Sequence, residues 1–541
     1  MLSQPPELPV DYYHSNFQLL LNNAIQTYDD LLADEEKSWI ESYNKLDKAS
    51  QCLLIRLLSR KGEWFRSDKL VYEEIGDITA CLVQLSKHKL IFLPEKLNCR
   101  QLARSLLTKP EIAALYPNLN KQLPKAELIS LLPDEEVDIT TLPFTCIQLL
   151  HAELMPIFTA LFFTNTHQDF TQFVLSDLGL NRFESYSLSR KLRYFNHRNE
   201  LLSLLEIGDI GNQYYEYRKA PLEHIQHWLN ALPAKSGHQD VDKKRSHLIN
   251  KLARDLERYE RFDEAIAHFS ENALPPSRER RVRMWEKMGL DEQALALTQD
   301  MLSSPYDVDE WEVAQRIERK LVKKLGDKPS PAKKPKFEEV YIELDLSEQR
   351  VEVTTQIHYN QSGWETYYLE NCFLNGLFGL VFWDSIYAPV QGAFNHAYQY
   401  RPLDLYRPEF SENRSEPIET DIHRFLTLGY EPLIERYSEK YGIANPYVIW
   451  DVFTPEHITQ AGISLPEEQL VELFRVMLSD MRNFRAGQPD LVAFKNGEFK
   501  FVEVKGPGDK LQQNQIRWLQ KFQQLSVNAE VCYVNYSKKK S

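Results

Sequence analysis

The chain has 541 residues, too long for one ordinary hydrophobic core, so roughly three or four domains are expected. Apolar residues at 43% and charged residues at 26% are globular proportions, and 27 Phe, 27 Tyr and 9 Trp supply ample core material. The net charge of −14 excludes a surface coated in positive charge and confines any nucleic-acid contact to a defined groove. The opening MLSQPPELPVDYYHSNF lacks the basic start and apolar run of a secretory signal, and no stretch approaches ~18 apolar residues. A cytoplasmic chain with no membrane partner is expected. Six cysteines (Cys52, Cys81, Cys99, Cys146, Cys372 and Cys532) form no CxxC pair, which argues against a thiolate zinc site or a disulfide framework.

In chain order, residues 1–95 are expected to form a helical, winged-helix-like DNA-binding domain. ASQCLLIRLLSRKG predicts one helix, the stretch near Ser67–Glu74 a second and that near Ile78–Lys87 a third, with LIFL as a short strand. Lys61, Arg66, Lys69, Lys87 and Lys89 are its basic side chains. Within residues 96–136, RQLARSLLTKPEIAALYPNLNKQLPKAELISLL predicts two amphipathic helices about a polar turn, with Leu107, Ile112 and Leu115 on one and Leu128, Ile129 and Leu132 on the other. This pattern resembles a SAP module, which implies Lys109, Lys121 and Lys125 as phosphate contacts.

Residues 137–322 read as stacked helix pairs of tetratricopeptide-like spacing, with Ala253, Ala265 and Phe269 and then Trp285, Gly289, Ala294 and Leu297 at packing positions. SRERRVR gathers Arg278, Arg280, Arg281 and Arg283. Arginine forks suit phosphate oxygens, so Arg278 and Arg280 are candidate DNA contacts. VKKLGDKPSPAKKPKF then marks a solvated linker over 323–336. Beyond it VYIELDL and VEVTTQIHY read as strands, opening an α/β domain over 337–541.

The chemistry concentrates in QPDLVAFKNGEFKFVEVKGPGD (488–509). Asn496-Gly497 between two apolar runs is a strong hairpin signal, and with these as the central turn residues Lys495 faces Glu498. The same register sets Asp490 opposite Glu503, their Cβ atoms ~4.5–5.5 Å apart, and projects Lys505 from the face of Glu503. Unpaired carboxylates beside an apolar hairpin are costly to bury, and a divalent cation removes that penalty. Oxygen-only ligands select Mg²⁺ or Mn²⁺ over zinc, and phosphodiester hydrolysis is the reaction class this trio suits. Gln515, one turn into the following helix, is a candidate supporting hydrogen-bonding group.

Pro489-Asp490 followed by Glu503-Val504-Lys505 resembles the PD-(D/E)xK nuclease signature. PDLVAF…FKFVEVKGPGDKL…NQIRWLQ is similar to the VRR-NUC domain and, with ENCFLNGLFGLVFWDSIY, NHAYQYRPLDLY and WDVF, to the Fanconi-anaemia-associated nuclease family. That resemblance implies a restriction-endonuclease-like α/β fold for the C-terminal domain. Its catalytic set would be Glu370, Asp490, Glu503 and Lys505, with Glu370, Asp490, Glu503 and Val504 holding metal and Asp509 in support. It places Glu370 on the helix leading to Asp384, and gives Asp384 a structural role. It further implies branched or flapped DNA as partner, 5′-flap cleavage with 5′-to-3′ resection, interstrand cross-link repair and a monomer. No ubiquitin-binding zinc finger precedes the DNA-binding region, so a bacterial-type member is expected, nucleoid-associated in a bacterium and nuclear in a eukaryote. The alternatives are a Holliday-junction resolvase of VRR-NUC type and a non-catalytic helical scaffold.

Overall fold

The computed structural model describes residues 9–168, 170, 173, 182–331 and 335–536. In their described residues, two compact units form, one from Met1–Leu180, Phe195–Gln213 and Pro233–Val241, the other from Asn181–Tyr194, Tyr214–Leu232 and Asp242–Ser541. No helix among the described residues is long and apolar enough to cross a membrane.

The first unit begins with helices Tyr12–Tyr28, Asp34–Asn44 and Lys48–Leu58, the first burying Tyr13, Phe17, Leu20, Leu21, Ala24 and Tyr28 at three- and four-residue spacing. Asp47 caps Lys48–Leu58 by accepting from the Ser50 amide (2.8 Å), and Asp77 caps Ile78–Lys87 through Ala80 (3.1 Å). A three-stranded sheet accompanies them, in the order β1 (Trp64–Arg66), β5 (Cys146–Leu149), β2 (Ile91–Phe92). Its central strand comes from the far side of the SAP-like segment, which local pattern could not reveal. The helix expected near Ser67–Glu74 is only a 3-10 turn, Ser67–Lys69. Of that stretch Leu70 alone buries an apolar side chain, while Val71 is 83% exposed, so no apolar stripe exists to hold a helix down.

Between β3 (Lys96–Asn98) and β4 (Glu136–Asp138), the SAP-like segment forms three short helices rather than two: Cys99–Ser105, Lys109–Leu115 and Lys125–Ser130. Thr108 and Glu111 make a capping box that restarts the chain as a separate helix at Lys109. Arg66 lies in the interior, its guanidinium bonded to Asp68, Glu111 and the Leu106 carbonyl, and is withdrawn from any DNA-facing role.

In the second unit, which takes up helix Gln239–Arg258 from Asp242, helices Phe262–Phe269, Ser277–Met288, Asp291–Ser303 and Val308–Lys324 follow one another with short turns. Val282, Ala294, Met301, Ala314, Ile317 and Leu321 form a core among the last three. Linker residues 332–334 lie outside the described residues. A five-stranded mixed sheet follows, in the order β6 (Glu338–Leu344), β10 (Ala529–Tyr536), β9 (Glu498–Lys505), β8 (Leu491–Lys495), β7 (Glu365–Tyr368). β10 is parallel to both β6 and β9, whereas β8 is antiparallel to its two neighbours. This is the mainly helical N-terminal region followed by an α/β domain that the sequence leads one to expect.

VEVTTQIHY is not a strand but the body of helix Val351–Gln361. Val351, Thr355 and Tyr359 share one helical face, and the Thr355 hydroxyl donates to the Val351 carbonyl (2.7 Å), so its β-branched side chain is satisfied within the helix. One face of the sheet packs Leu491, Val502, Val504, Cys532 and Val534 with Tyr359 of this helix. The other packs Val492, Phe501 and Val531 with helices Phe373–Val381 and Gln513–Gln524.

Candidate active site

The β8–β9 hairpin has the expected register, with Lys495 opposite Glu498 and Leu491 opposite Val502. Asn496 (φ 53°) and Gly497 (φ 83°) both occupy the left-handed region that a tight two-residue turn of this hand requires. Asp490 immediately precedes β8, and its Oδ2 accepts from the Val504 amide (2.8 Å), which ties it across to β9. Val504 thus contributes its main chain here, while its side chain packs on the opposite face.

Glu503 is 1% exposed and Lys505 7%, and the Lys505 Nζ donates to Glu503 Oε1 (2.7 Å). Burial, less the help of the Val504 amide and plus the charge of Glu370, pushes the Asp490 carboxyl up to about 6. Burial and the neighbouring Asp490 push Glu503 up to about 8 despite Lys505. Two buried carboxyl groups, Glu503 raised further by the charge of Asp490 and Asp490 by that of Glu370, are strained toward a positive partner, and one lysine does not neutralise both. Their donors are oxygens only, which fits a hard divalent cation.

Glu370 lies in the turn between β7 and helix Phe373–Val381, rather than on that helix as the family pattern implied. The Leu369 amide donates to the Asp490 carbonyl (3.0 Å), continuing the β7–β8 ladder and setting Glu370 beside the acidic pair. Tyr368 and Asn371 donate to its carboxylate (3.3 and 3.1 Å). Asp384 binds Arg424 and Arg436 (2.7 and 2.9 Å) and so pins three segments of chain.

Asp509 accepts from the Gly506 amide (3.1 Å), bracing the turn after Lys505. Gln515 is the reciprocal cap of helix Gln513–Gln524, its Oε1 accepting from the Gln512 amide (2.9 Å), so its side chain is engaged in starting that helix. A further acid is Glu352, in the first turn of helix Val351–Gln361, whose charge is among those raising Asp490 and Tyr368. Reading that segment as a strand hid it. The four-residue spacing of Val351, Thr355 and Tyr359 was the available signal.

The candidate DNA-binding side chains fare differently. Lys121 is exposed, Lys109 opens helix Lys109–Leu115, and Lys125 Nζ donates to the Arg104 carbonyl (3.2 Å). Arg278 and Arg280 do not fan around an open pocket. Arg278 forks onto Glu310 (Nε 3.0 Å) and Arg280 onto Glu257 (Nε 2.9 Å), while Arg283 is held by Glu279 (2.6 Å). Other helices supply Glu310 and Glu257, which sequence spacing does not show, whereas Glu279 lies one turn from Arg283 on the same helix. In the same unit a cavity of about 350 Å³ is lined by Lys243, Arg482 and Lys521, by Tyr306, Trp311 and Tyr406, and by Asp307 and Asp480 among others. In the first unit Glu35, His151 and Glu153 bring ligand atoms within 4.8 Å of one another. They are largely exposed, as acidic clusters without an ion commonly are.

Family models match two parts of the chain: "FAN1, HTH domain" over residues 11–92 and "VRR-NUC domain" over residues 429–536. A Fanconi-associated nuclease 1 homolog of Pseudomonas aeruginosa is 32% identical across 98% of this chain and 97% of its own. The chain belongs to the Fanconi-associated nuclease 1 family. Human Fanconi-associated nuclease 1 is 24% identical over 97% of this chain, which spans 62% of the human protein's length. A crystal structure of paFAN1 bound to 5′-flap DNA with a 2-nucleotide flap and a gap superposes with a TM-score of 0.82 at 31% identity, covering 99% of this chain and 100% of that one. As a member of this family the chain is a structure-specific DNA nuclease, and its nuclease domain is of a metal-dependent type.

Proposed function

We propose that this nuclease cuts branched DNA at 5′ flaps, resects 5′ to 3′ from the cut, and serves repair that includes interstrand cross-links. The observation that carries the reading is the convergence of Asp490, Glu503 and Lys505 at one end of a buried hairpin, with Glu370 set beside them by the β7–β8 ladder. The substrate part rests on paFAN1, whose structures hold 5′-flap DNA.

Glu370, Asp490, Glu503 and position 504 would hold Mg²⁺ or Mn²⁺. When bound, the cation neutralises charge on the scissile phosphate and on the oxygen that leaves. The Val504 amide fixes the Asp490 carboxylate, and Asp509 fixes the turn that follows Lys505. Lys505, a compact point charge freed from Glu503, orients the attacking water or stabilises the crowded phosphate. Water adds to phosphorus and gives up a proton to solvent, the bridging P–O bond breaks, and the leaving oxygen takes up a proton from solvent to become a free hydroxyl.

Lys109, Lys121 and Lys125 serve as phosphate contacts in this reading, and the domain limits at residues 95, 136, 322 and 336 serve as its working divisions. A flap's 5′ phosphate is better placed in the cavity at Arg482 and Lys521 than at Arg278 and Arg280. Neither Arg482 nor Lys521 has a carboxylate partner within salt-bridge reach among the described residues. The protein acts as a monomer in the cytoplasm of a bacterium or the nucleus of a eukaryote. Asp490→Ala and Lys505→Ala are each expected to abolish cleavage while leaving flap binding in Ca²⁺ nearly intact. Normal turnover by either variant, read on a labelled 5′ flap, removes that residue from the mechanism. Paired, symmetric cuts in a four-way junction by a dimer would favour the resolvase alternative.

A further inference from the structure

The register of the parallel strands carries the catalytic face beyond the acidic pair. Lys505 of β9 lies beside Tyr533 of β10, and Tyr533 lies beside Tyr341 of β6. These three side chains therefore form a row on the face that bears Glu503. With neighbouring strands ~4.8 Å apart, the row runs from Lys505 to about 10 Å away at the sheet's edge. Helix Gln513–Gln524 covers this face as far as Phe501, on which Phe522 stacks at 4.8 Å. Past that cover exposure rises along the row, from buried Lys505 through half-buried Tyr533 to exposed Tyr341.

The rings of Tyr533 and Tyr341 are stacked, 5.2 Å between centroids and 17° between planes. Tyr533 is half-buried against the core, but Tyr341 is 65% exposed and leaves its outer ring face to solvent. Its hydroxyl donates to Glu339 (2.7 Å), which fixes the ring's orientation. Core packing does not account for a large aromatic side chain held this way on an edge strand. An aromatic slab anchored beside a phosphodiesterase centre does have a use, because every nucleobase presents a π-face to stack.

We propose that Tyr341 stacks an unpaired nucleobase of the strand being cut, one or two nucleotides from the scissile phosphate, with Tyr533 as the positioning residue behind it. The charge of β6 selects the base over the backbone. Glu338, Glu339 and Glu343 are exposed along the same strand and repel phosphate, whereas a neutral base is not repelled. Stacking of this kind tolerates any sequence, as a nuclease guided by structure requires. The inference rests on the nuclease reading above.

The test uses the full-length protein, Ca²⁺ in place of the catalytic cation, and 5′-flap DNA carrying 2-aminopurine at successive unpaired positions. Quenching is expected at one position. It should be lost in Tyr341→Ala and kept in Tyr341→Phe, with the flap's Kd weakened roughly 10-fold by the alanine alone. In Mg²⁺ the alanine should raise KM with kcat little changed. The platform is refuted by an alanine variant that quenches like wild type, and equally by a Tyr341→Phe variant that loses as much as alanine. Thermal melts guard against misfolding, and Tyr341→Trp, which keeps a stacking surface, should bind like wild type. Cleavage by wild type and Asp490→Asn separates the two layers of the argument. Quenching without cutting by wild type, or cutting by Asp490→Asn, would overturn the nuclease reading and keep the platform, and cutting without quenching by wild type would overturn the platform alone.

Discussion

At the scale of single residues, the site is defined by how tightly two carboxyl groups hold their protons. Asp490 is raised from 3.8 to about 6 and Glu503 from 4.5 to about 8, both chiefly by burial. Each therefore contributes stability that is full below its unfolded pKa and is lost as pH rises through its folded value. A divalent cation binds the deprotonated pair, so the metal-free protein should lose stability between about pH 4 and about pH 8, and Mg²⁺ should restore it increasingly over that window. Melting curves with and without Mg²⁺ check this. An increment in Tm that does not change with pH would remove the pair as the binding site. Glu503→Gln should flatten the pH dependence while leaving the metal-free protein at least as stable as wild type near neutrality, since it installs a neutral group where the fold prefers one. The trio was legible because Asn496-Gly497 fixes a register and a register fixes neighbours. Glu370 came only through the family resemblance and not from local spacing, since what brings it alongside is a strand pairing more than a hundred residues apart in sequence.

At the scale of elements, the hairpin turn controls the chemistry. Asn496 and Gly497 sit at φ 53° and 83°, and a β-branched side chain at Gly497 is strained in that region. Gly497→Val should cost about 1–2 kcal/mol in stability. It should also reduce cleavage more than the stability loss explains, because a slipped register moves Glu503 off Asp490. Comparing Tm with kcat decides the point, and a variant with lowered Tm but full kcat shows the register to be set elsewhere. Helix Val351–Gln361 illustrates the opposite outcome. Its alternation of β-branched residues imitates a strand, yet a four-residue stripe facing the sheet governs it, and that stripe has meaning only once the sheet exists. The extra break in the SAP-like segment, by contrast, was written locally in Thr108 and Glu111.

At the scale of the whole molecule, the arginine cluster shows how partners from distant helices reassign a motif. Glu257 is buried and gathers Arg254, Arg280 and Lys287, so Arg280→Ala leaves a carboxylate with fewer cations rather than a vacant phosphate site. That variant should lower stability by about 1–3 kcal/mol. It should also slow cleavage of 5′-phosphorylated and unphosphorylated flaps alike. Arg482→Ala should instead weaken the phosphorylated flap selectively. The opposite pattern in paired KM measurements would return the phosphate to the Arg278–Arg283 cluster. The order of segments, helical first and α/β afterwards, was readable from composition and periodicity. The central strand β5 was not, because its partners β1 and β2 precede the intervening SAP-like segment.

The strand order also sets a schedule. β10 stands between β6 and β9 and is the sole link between them in the described sheet, although it comes last in chain order among the described strands. A nascent chain that has emerged through Lys505 already carries all four acid and lysine groups, but β6 has nothing to pair with and one side of β9 is bare. Long-range parallel pairing of this sort forms slowly and late. Cutting power is therefore expected to arrive in one step, after the helical segments have had time to fold. A chain ending before Ala529 should retain every catalytic side chain and cleave nothing. In this fold a strand that emerges well after the catalytic hairpin is what arms the nuclease.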